Sequence, residues 1–307
     1  MSRHVQDQII AVTGATGQQG GATAAALLAR GHPVRAVVRD PSGAAARELE
    51  KSGAELVAGD MGDRSSLEAA FLGVHGVFSV QPTFVTPELT PGIGPGDEVR
   101  FGRNVADAAM AAGVRHFVYA SSVNADADSG IETLENKGRI EEHIRVLGLP
   151  ATMLRPVSFM ENYLAQVAGQ ALADGELSSA LRSDTVQQLI ALRDIGEMAA
   201  LAFERPEEYV GEVVDLAGDE LTPPQIADAL SRATGRPVRH VEIPIEVIRQ
   251  QSENLANAYA WMNDNGPTVD ISALRARKPD LRTFEEWLAE QTLDRTGLRE
   301  QKGSTMG

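Results

Sequence analysis

The chain has 307 residues, 43% of them hydrophobic and 23% charged, the balance of an ordinary globular protein; at about 100–200 residues per domain that allows one large domain or two smaller ones. It has no cysteine, which excludes a disulfide framework, a cysteine zinc site and a thiol nucleophile, and its six histidines are scattered without metal-ligand spacing. A formal net charge of −15 disfavours nucleic acid and anionic membrane as partners and leaves room for a protein partner with a basic surface.

The opening segment MSRHVQDQII lacks the apolar core of a signal peptide, and no apolar run approaches the ~20 residues of a membrane span, so a cytoplasmic setting is expected. Strand-length apolar runs then appear at Ile9–Val12, Val34–Val38, Glu55–Ala58, Gly76–Val80, His116–Ala120 and Thr152–Leu154. Between them lie Ala- and Leu-rich stretches of helical spacing, closed by Gly31, Gly53, Gly113 and Gly148, with Asp63 as N-cap of Ser65–Leu72. This alternation predicts parallel βαβ units with right-handed crossovers, and the near-continuous apolar strands fit a sheet covered on both faces. One connection departs from the pattern. Pro82–Gly96 is rich in proline and glycine, follows the fourth strand, and reads either as a plain surface loop or as a lid.

Beyond Pro156 the alternation weakens. Asp194 is expected to cap a helix over Ile195–Phe203, and Val213–Leu216 reads as a strand. Thr222-Pro-Pro-Gln225 opens a helix with a capping box, burying Ile226, Ala229 and Leu230 and stopping at Gly235; Val238–Ile243 reads as another strand, and the tail from about Arg295 as frayed. The expected fold is α/β, a doubly wound parallel sheet over residues 1–155 with a smaller C-terminal α/β region over residues 156–307.

The first strand runs into Thr13-Gly14-Ala15-Thr16-Gly17-Gln18-Gln19-Gly20-Gly21, which opens the first helix. Glycines at 14, 17 and 20 within strand, turn and helix make a Rossmann-type dinucleotide fingerprint. The chain must turn sharply, pyrophosphate must approach bare backbone, and the free N–H groups and positive end of the helix stabilise its charge. The second strand ends in Val37-Val38-Arg39-Asp40, where the adenosine ribose is read. An arginine there pairs with a 2′-phosphate and selects NADP; an acid accepts from the 2′-hydroxyl and selects NAD. Arg39 stands first, so NADP is expected, with NAD the alternative. Asp60, ending the third strand, suits either the adenine amino group or a turn cap.

These segments resemble the NmrA-like family, atypical members of the short-chain dehydrogenase/reductase superfamily. The resemblance continues through Asn136–Glu142, Arg155–Asn162, Arg193–Gly196, Glu208–Gly211 and Phe284–Leu288, and covers about residues 7–292. It implies that Gly14, Ala15, Thr16, Gly17, Gln18, Gln19 and Gly20 line the pyrophosphate, with Arg39 at the 2′-phosphate and Asp60 and Met61 at the adenine. It further implies that Gln81, Pro82, Thr83 and Lys137 approach the nicotinamide ribose and that Phe159 to Asn162 close over the ring. No metal is implied.

Active short-chain reductases pair a tyrosine acid with a lysine four residues on and an upstream serine. Here Lys137 fills the lysine position, Ser121 and Ser122 the serine position, but Thr133 stands where the tyrosine would be. A threonine hydroxyl is too weak an acid to replace a phenol. Three readings stay open: a cofactor-dependent sensor acting on a protein partner, a reductase with Lys137 as acid–base group, or direct hydride transfer to a quinone-type acceptor. The bland alternative for Lys137 is an exposed helix lysine beside Glu141. Tyr163 and His143 are further proton donors that no spacing places, and the pairs Glu141–Glu142, Glu207–Glu208 and Glu285–Glu286 read as solvated surface.

Overall fold

In the computed structural model, which describes residues 8–84, 90–167, 175–291, 293–294 and 297–298, the apolar runs form strands and the segments of helical spacing form helices. In chain order these are β1 (Ile10–Thr13), α1 (Gln18–Ala29), β2 (Val34–Val38), α2 (Ala44–Lys51), β3 (Glu55–Ala58), α3 (Arg64–Ala70), β4 (Gly76–Ser79), α4 (Asp97–Ala112), β5 (His116–Ala120), α5 (Glu132–Leu147) and β6 (Ala151–Pro156). Next come β7 (Ser158–Phe159), α6 (Asn162–Val167), β8 (Glu176–Ser179), β9 (Gln187–Ile190), α7 (Leu192–Glu204), α8 (Pro206–Tyr209) and β10 (Val213–Leu216). The remainder is β11 (Asp219–Leu221), α9 (Pro223–Thr234), β12 (Arg239–Glu242), α10 (Ile245–Arg249), α11 (Glu253–Asn265), α12 (Ile271–Arg277), α13 (Phe284–Glu290), β13 (Leu293–Asp294) and β14 (Gly297–Leu298).

The chain divides into two units. The first joins the segment ending at Pro156 to Leu192–Leu216; the second joins Val157–Ala191 to the chain from Ala217 onward. Leu192–Leu216, which the sequence places in the C-terminal region, therefore belongs with the dinucleotide-type unit. The reason lies in its packing. The helix α7 buries Ile195, Met198, Ala199 and Ala202, and a Cβ on Gly196 would overlap the Ala22 carbonyl, so α7 meets α1 backbone to backbone. After α7 and α8, β10 joins the sheet in parallel beside β6, with Asp215 opposite Arg155.

The first unit is a seven-stranded sheet in the order β10-β6-β5-β4-β1-β2-β3, parallel at every pairing. It is a doubly wound Rossmann-type α/β sheet. All residues of β1, β4, β5 and β6 are buried, as strands covered on both faces require. Leu67, Phe71, Val105, Ala109, Ile140 and Ile144 of the α3–α5 layer pack against Phe117, Tyr119 and Met153. Strand order reverses between β1 and β4, and ligands of such sheets bind outside the strand ends at that reversal. Thr13 marks the place: its hydroxyl accepts from the Val80 N–H at 3.1 Å and reaches the Phe78 and Val80 carbonyls.

Helix ends follow the expected chemistry with one correction. The Asp63 carboxylate accepts from the Ser65 N–H at 3.0 Å, and the Thr222 N–H donates to Gln225 Oε1 at 2.8 Å. Asp194 is not an N-cap. The helix begins two residues earlier, at Leu192, which puts Asp194 inside the first turn, buried, where an acid suits the positive end. The connection from Pro82 to Gly96 carries Gly92 and Gly96 in the left-handed conformation; residues 85–89, with Pro87 and the middle of the stretch read as either loop or lid, lie outside the described residues, as does Arg295.

The second unit has a three-stranded sheet in the order β11-β9-β7 and a parallel pair of β8 with β12. Met160, Tyr163, Leu189, Ile226, Leu230, Phe284 and Trp287 form its core. No helix among the described residues is long and apolar enough to cross a membrane.

Candidate functional site

The glycine turn is built by three different demands. Gly14 has φ +60°, and a Cβ there would press on Val80 Cγ1 at 2.8 Å, so the chain can leave β1 this sharply only with glycine. A Cβ on Gly20 would overlap the Gly14 carbonyl, so α1 lies directly on the turn. Gly17 differs: a Cβ there meets only the Gly14 carbonyl oxygen, at 3.3 Å, and the residue is exposed. The fold barely needs glycine at 17, whereas a ligand approaching bare backbone does. Gly17 is also the N-cap of α1 and brings no side-chain cap, so the first N–H groups of the helix are left for an outside acceptor. Thr16 and Gln18 are exposed around it, Ala15 is buried beneath, and the Oε1 of Gln19 is buried without a hydrogen-bond partner among the described residues. The cradle fits an anionic group such as a pyrophosphate.

At the end of β2 the two candidate readers are not equivalent. The Asp40 carboxylate is already engaged, accepting from the Ser42 hydroxyl at 2.6 Å and the Ser42 N–H at 2.9 Å, and these bonds hold its carboxyl below the usual range. Arg39 is exposed and makes no hydrogen bond or ion pair among the described residues. Asp60 accepts from the Gly62 N–H at 2.7 Å and so acts as a turn cap through Oδ1. Beside it, the Met61 methyl lies 3.9 Å from where a Gly14 Cβ would stand.

At the ends of β4 and β5 the structure gathers groups far apart in sequence. Lys137 is not a solvated lysine beside Glu141. Its ammonium donates at 2.7 Å to Oε1 of Glu98, and the lysine and glutamate side chains are only 12% and 2% exposed. The Thr83 hydroxyl donates to the same oxygen at 2.9 Å. Gln81 is buried, donates to the Ser79 hydroxyl at 2.8 Å, and has no partner for its Oε1 among the described residues; Pro82 is exposed. Sequence reasoning missed Glu98, which lies on another helix in a segment that carried no motif.

Of the two serines at the classical reductase position, Ser121 is committed to the fold. The Ser121 hydroxyl donates to Glu141 Oε1 at 2.5 Å. Glu141, expected as solvated surface, is fully buried and accepts from Arg155 at both oxygens (2.8 and 2.6 Å) and from Arg145 at 2.6 Å. Burial opposes its ionisation, but the bonds from Arg155, Ser121 and Arg145 outweigh this and hold the carboxyl below its ordinary value. Arg155 in turn pairs with Asp126 at 2.9 Å. His143 is bound to Asp107 at 2.8 Å. In the second unit, Tyr163 donates to Gln187 at 2.7 Å, and burial pushes its phenol well above its ordinary value, so it is a poor acid. Phe159 stands on β7 and Asn162 opens α6, both in that unit. No group of His, Asp and Glu among the described residues is arranged to hold a metal ion.

Glycine turn, strand order and free helix N-terminus together define a Rossmann-type fold with a cradle for an anionic ligand. The chain belongs to the NmrA-like family, whose profile matches residues 6–288. It is 33% identical to the NAD(P)H azoreductase of Xenophilus azovorans over 292 residues, covering 91% of this chain and 96% of that protein. Among solved structures it resembles the NADPH-dependent quinone oxidoreductase QOR2 of Escherichia coli complexed with NADPH (27% identity, 91% and 98% of the two chains, TM-score 0.77). It also resembles NmrA, a negative transcriptional regulator, in complex with NADP (25% identity, 93% and 95%, TM-score 0.76).

Proposed function

We propose that this protein binds NADP(H) and passes a hydride to an electron-poor acceptor of the quinone or azo class without a tyrosine acid of its own. The carrying observation is the cradle at Gly17, where the fold scarcely resists a side chain but a bound pyrophosphate would. In this reading Gly14 to Gly20 hold the pyrophosphate, Arg39 the 2′-phosphate, and Met61 the adenine side. Gln81, Thr83 and Lys137 hold the nicotinamide ribose. The second unit, which holds Phe159 and Asn162, is assigned to acceptor or partner binding. The bound dinucleotide supplies the hydride. The chain's own residues orient it and offer little proton transfer, since Thr133 replaces the phenol and the Ser121 proton is committed to Glu141. Quinone and azo acceptors suit such a site because they accept hydride readily, and the azoreductase and quinone oxidoreductase relatives support that acceptor class. A cytoplasmic setting with reduced NADPH suits the same reading.

The likeness to the regulator NmrA favours a second reading, in which the bound dinucleotide sets affinity for a protein partner. Two measurements test the proposal. In calorimetric titration NADPH should bind at least about tenfold more tightly than NADH, as expected for a charge-assisted contact worth about 1.5–3 kcal/mol, and Arg39→Ala should remove most of that preference. Equal affinities would overturn the assignment of Arg39. NADPH oxidation against quinones, azo compounds and simple aldehydes should then be brisk with the first two classes and slow with the last. Binding without oxidation by any of them would favour the sensor.

A further inference from the structure

Two buried glutamates stand among the same helices and differ in one respect. Glu141 has both oxygens taken by Arg155, Arg145 and Ser121, as a carboxylate serving the fold should. Glu98, in the first turn of α4 and 1% exposed, has one oxygen taken and the other, Oε2, buried with no partner among the described residues. Its single engaged oxygen receives two donors from separate elements, Lys137 Nζ on α5 and Thr83 Oγ1 beyond β4. A carboxylate kept for packing alone would be expected to satisfy both oxygens, because a buried unsatisfied polar atom is costly. The two donors it holds are two of the three residues that the functional reading assigns to the nicotinamide ribose.

We infer that Glu98 is a positioning residue for the nicotinamide half of the dinucleotide: it anchors the Lys137 ammonium and the Thr83 hydroxyl on one oxygen and so fixes both at the ribose. The inference rests on the NADP(H) reading given above. It adds the device by which a lysine with four rotatable bonds and a threonine in a loop are held ready, which lowers the ordering cost of binding.

The test compares two probes in calorimetric titration of the full chain: NADPH, and adenosine 2′,5′-bisphosphate, which carries the 2′-phosphate and adenine but no nicotinamide half. Glu98→Gln should bind NADPH about tenfold or more weakly than the parent and the adenosine probe unchanged. In combination with Lys137→Met its effect should be less than additive, since the two act as one unit. Equal losses for both probes would mean a merely structural role, and unchanged NADPH affinity would mean none; either overturns the inference. If Glu98→Gln fails to fold, Glu98→Asp carries the same comparison, because its shorter side chain withdraws the anchoring oxygen from Lys137 and Thr83, with selective loss of NADPH expected and an equal or absent loss overturning it. Failure of the underlying reading is distinguishable, because then the parent protein itself binds neither probe.

Discussion

Gly17 and Gly20 stand three residues apart and have different tasks. At Gly17 a methyl needs only a few tenths of an ångström of adjustment against the Gly14 carbonyl oxygen. At Gly20 it would collide with the backbone of Gly14 and Ala15, and α1 would have to lift from the turn. Gly17→Ala should therefore keep nearly the parent's urea midpoint and lose NADPH affinity about tenfold or more. Gly20→Ala should lose about 1–3 kcal/mol or more of stability, the usual scale of overpacking. A Gly20→Ala protein as stable as the parent would refute that division of labour. As candidates, residues of this kind were legible in the sequence because their patterns are local: glycine spacing, Arg39 after an apolar run, Lys137 four residues past Thr133. Glu98 was not. Its meaning lies in a partner 39 residues further on and a helix away, and no spacing rule connects them. The burial of Glu141 was hidden for a related reason: its neighbour Glu142 is exposed, and only the packing of α5 on β6 decides which of the two turns inward.

At the scale of elements, β5, α5 and β6 are joined by Ser121 just past the end of β5, Glu141 of α5 and Arg155 of β6. Breaking a buried pair by removing one member costs about 3–5 kcal/mol, because the other charge stays buried without its partner. Arg155→Met should thus destabilise the protein by about that amount at neutral pH, and adding Glu141→Leu should return much of it. A double variant no more stable than Arg155→Met would show that Glu141 is not the stranded charge. The pH sign follows from the direction of the shift: the carboxyl of Glu141 is held below its ordinary value, so the pair's contribution is present above the usual carboxylate range and fades as pH falls through its folded value. The βαβ elements were read from period and stop signals, since parallel strands covered on both faces advertise themselves as apolar runs. The short strands β7, β8, β9 and β11 were not, because two to four residues with mixed burial carry no period. Placing α7 and β10 with the first sheet needs tertiary knowledge, as the chain leaves that unit at Pro156 and returns at Leu192.

For the whole molecule, the response to acid is set by buried imidazoles against a net charge of −15. Mild acid reduces the net negative charge and relieves self-repulsion. His116 works the other way. It lies on β5, 1% exposed, with Nε2 2.8 Å from the Thr152 hydroxyl. That hydroxyl donates to the Tyr209 carbonyl at 2.7 Å, so it accepts from His116, and the imidazole carries its proton on Nε2 while Nδ1 is buried without a partner among the described residues. Burial, with a smaller contribution from His75, pushes its pKa down to about 4. Phe203, whose ring meets the imidazole in a T-shaped contact with centroids 5.3 Å apart, brings no compensating charge, and Arg115, which after burial lowers His75, adds positive charge nearby. Unfolded, the same ring titrates near its ordinary value. Between about pH 6.5 and about 4 the unfolded chain therefore binds a proton that the folded one refuses, and stability falls with pH, by ~3 kcal/mol over the full window at ~1.4 kcal/mol per unit. His75 and His240 are shifted in the same direction by burial and add to the slope. Urea unfolding of the parent at pH 7 and pH 5 should show the loss, and His116→Gln, whose amide can still donate to Thr152 but takes no proton, should show about 1–2 kcal/mol less of it. Equal losses in the two proteins would assign the acid sensitivity to the carboxylates and to the other histidines instead.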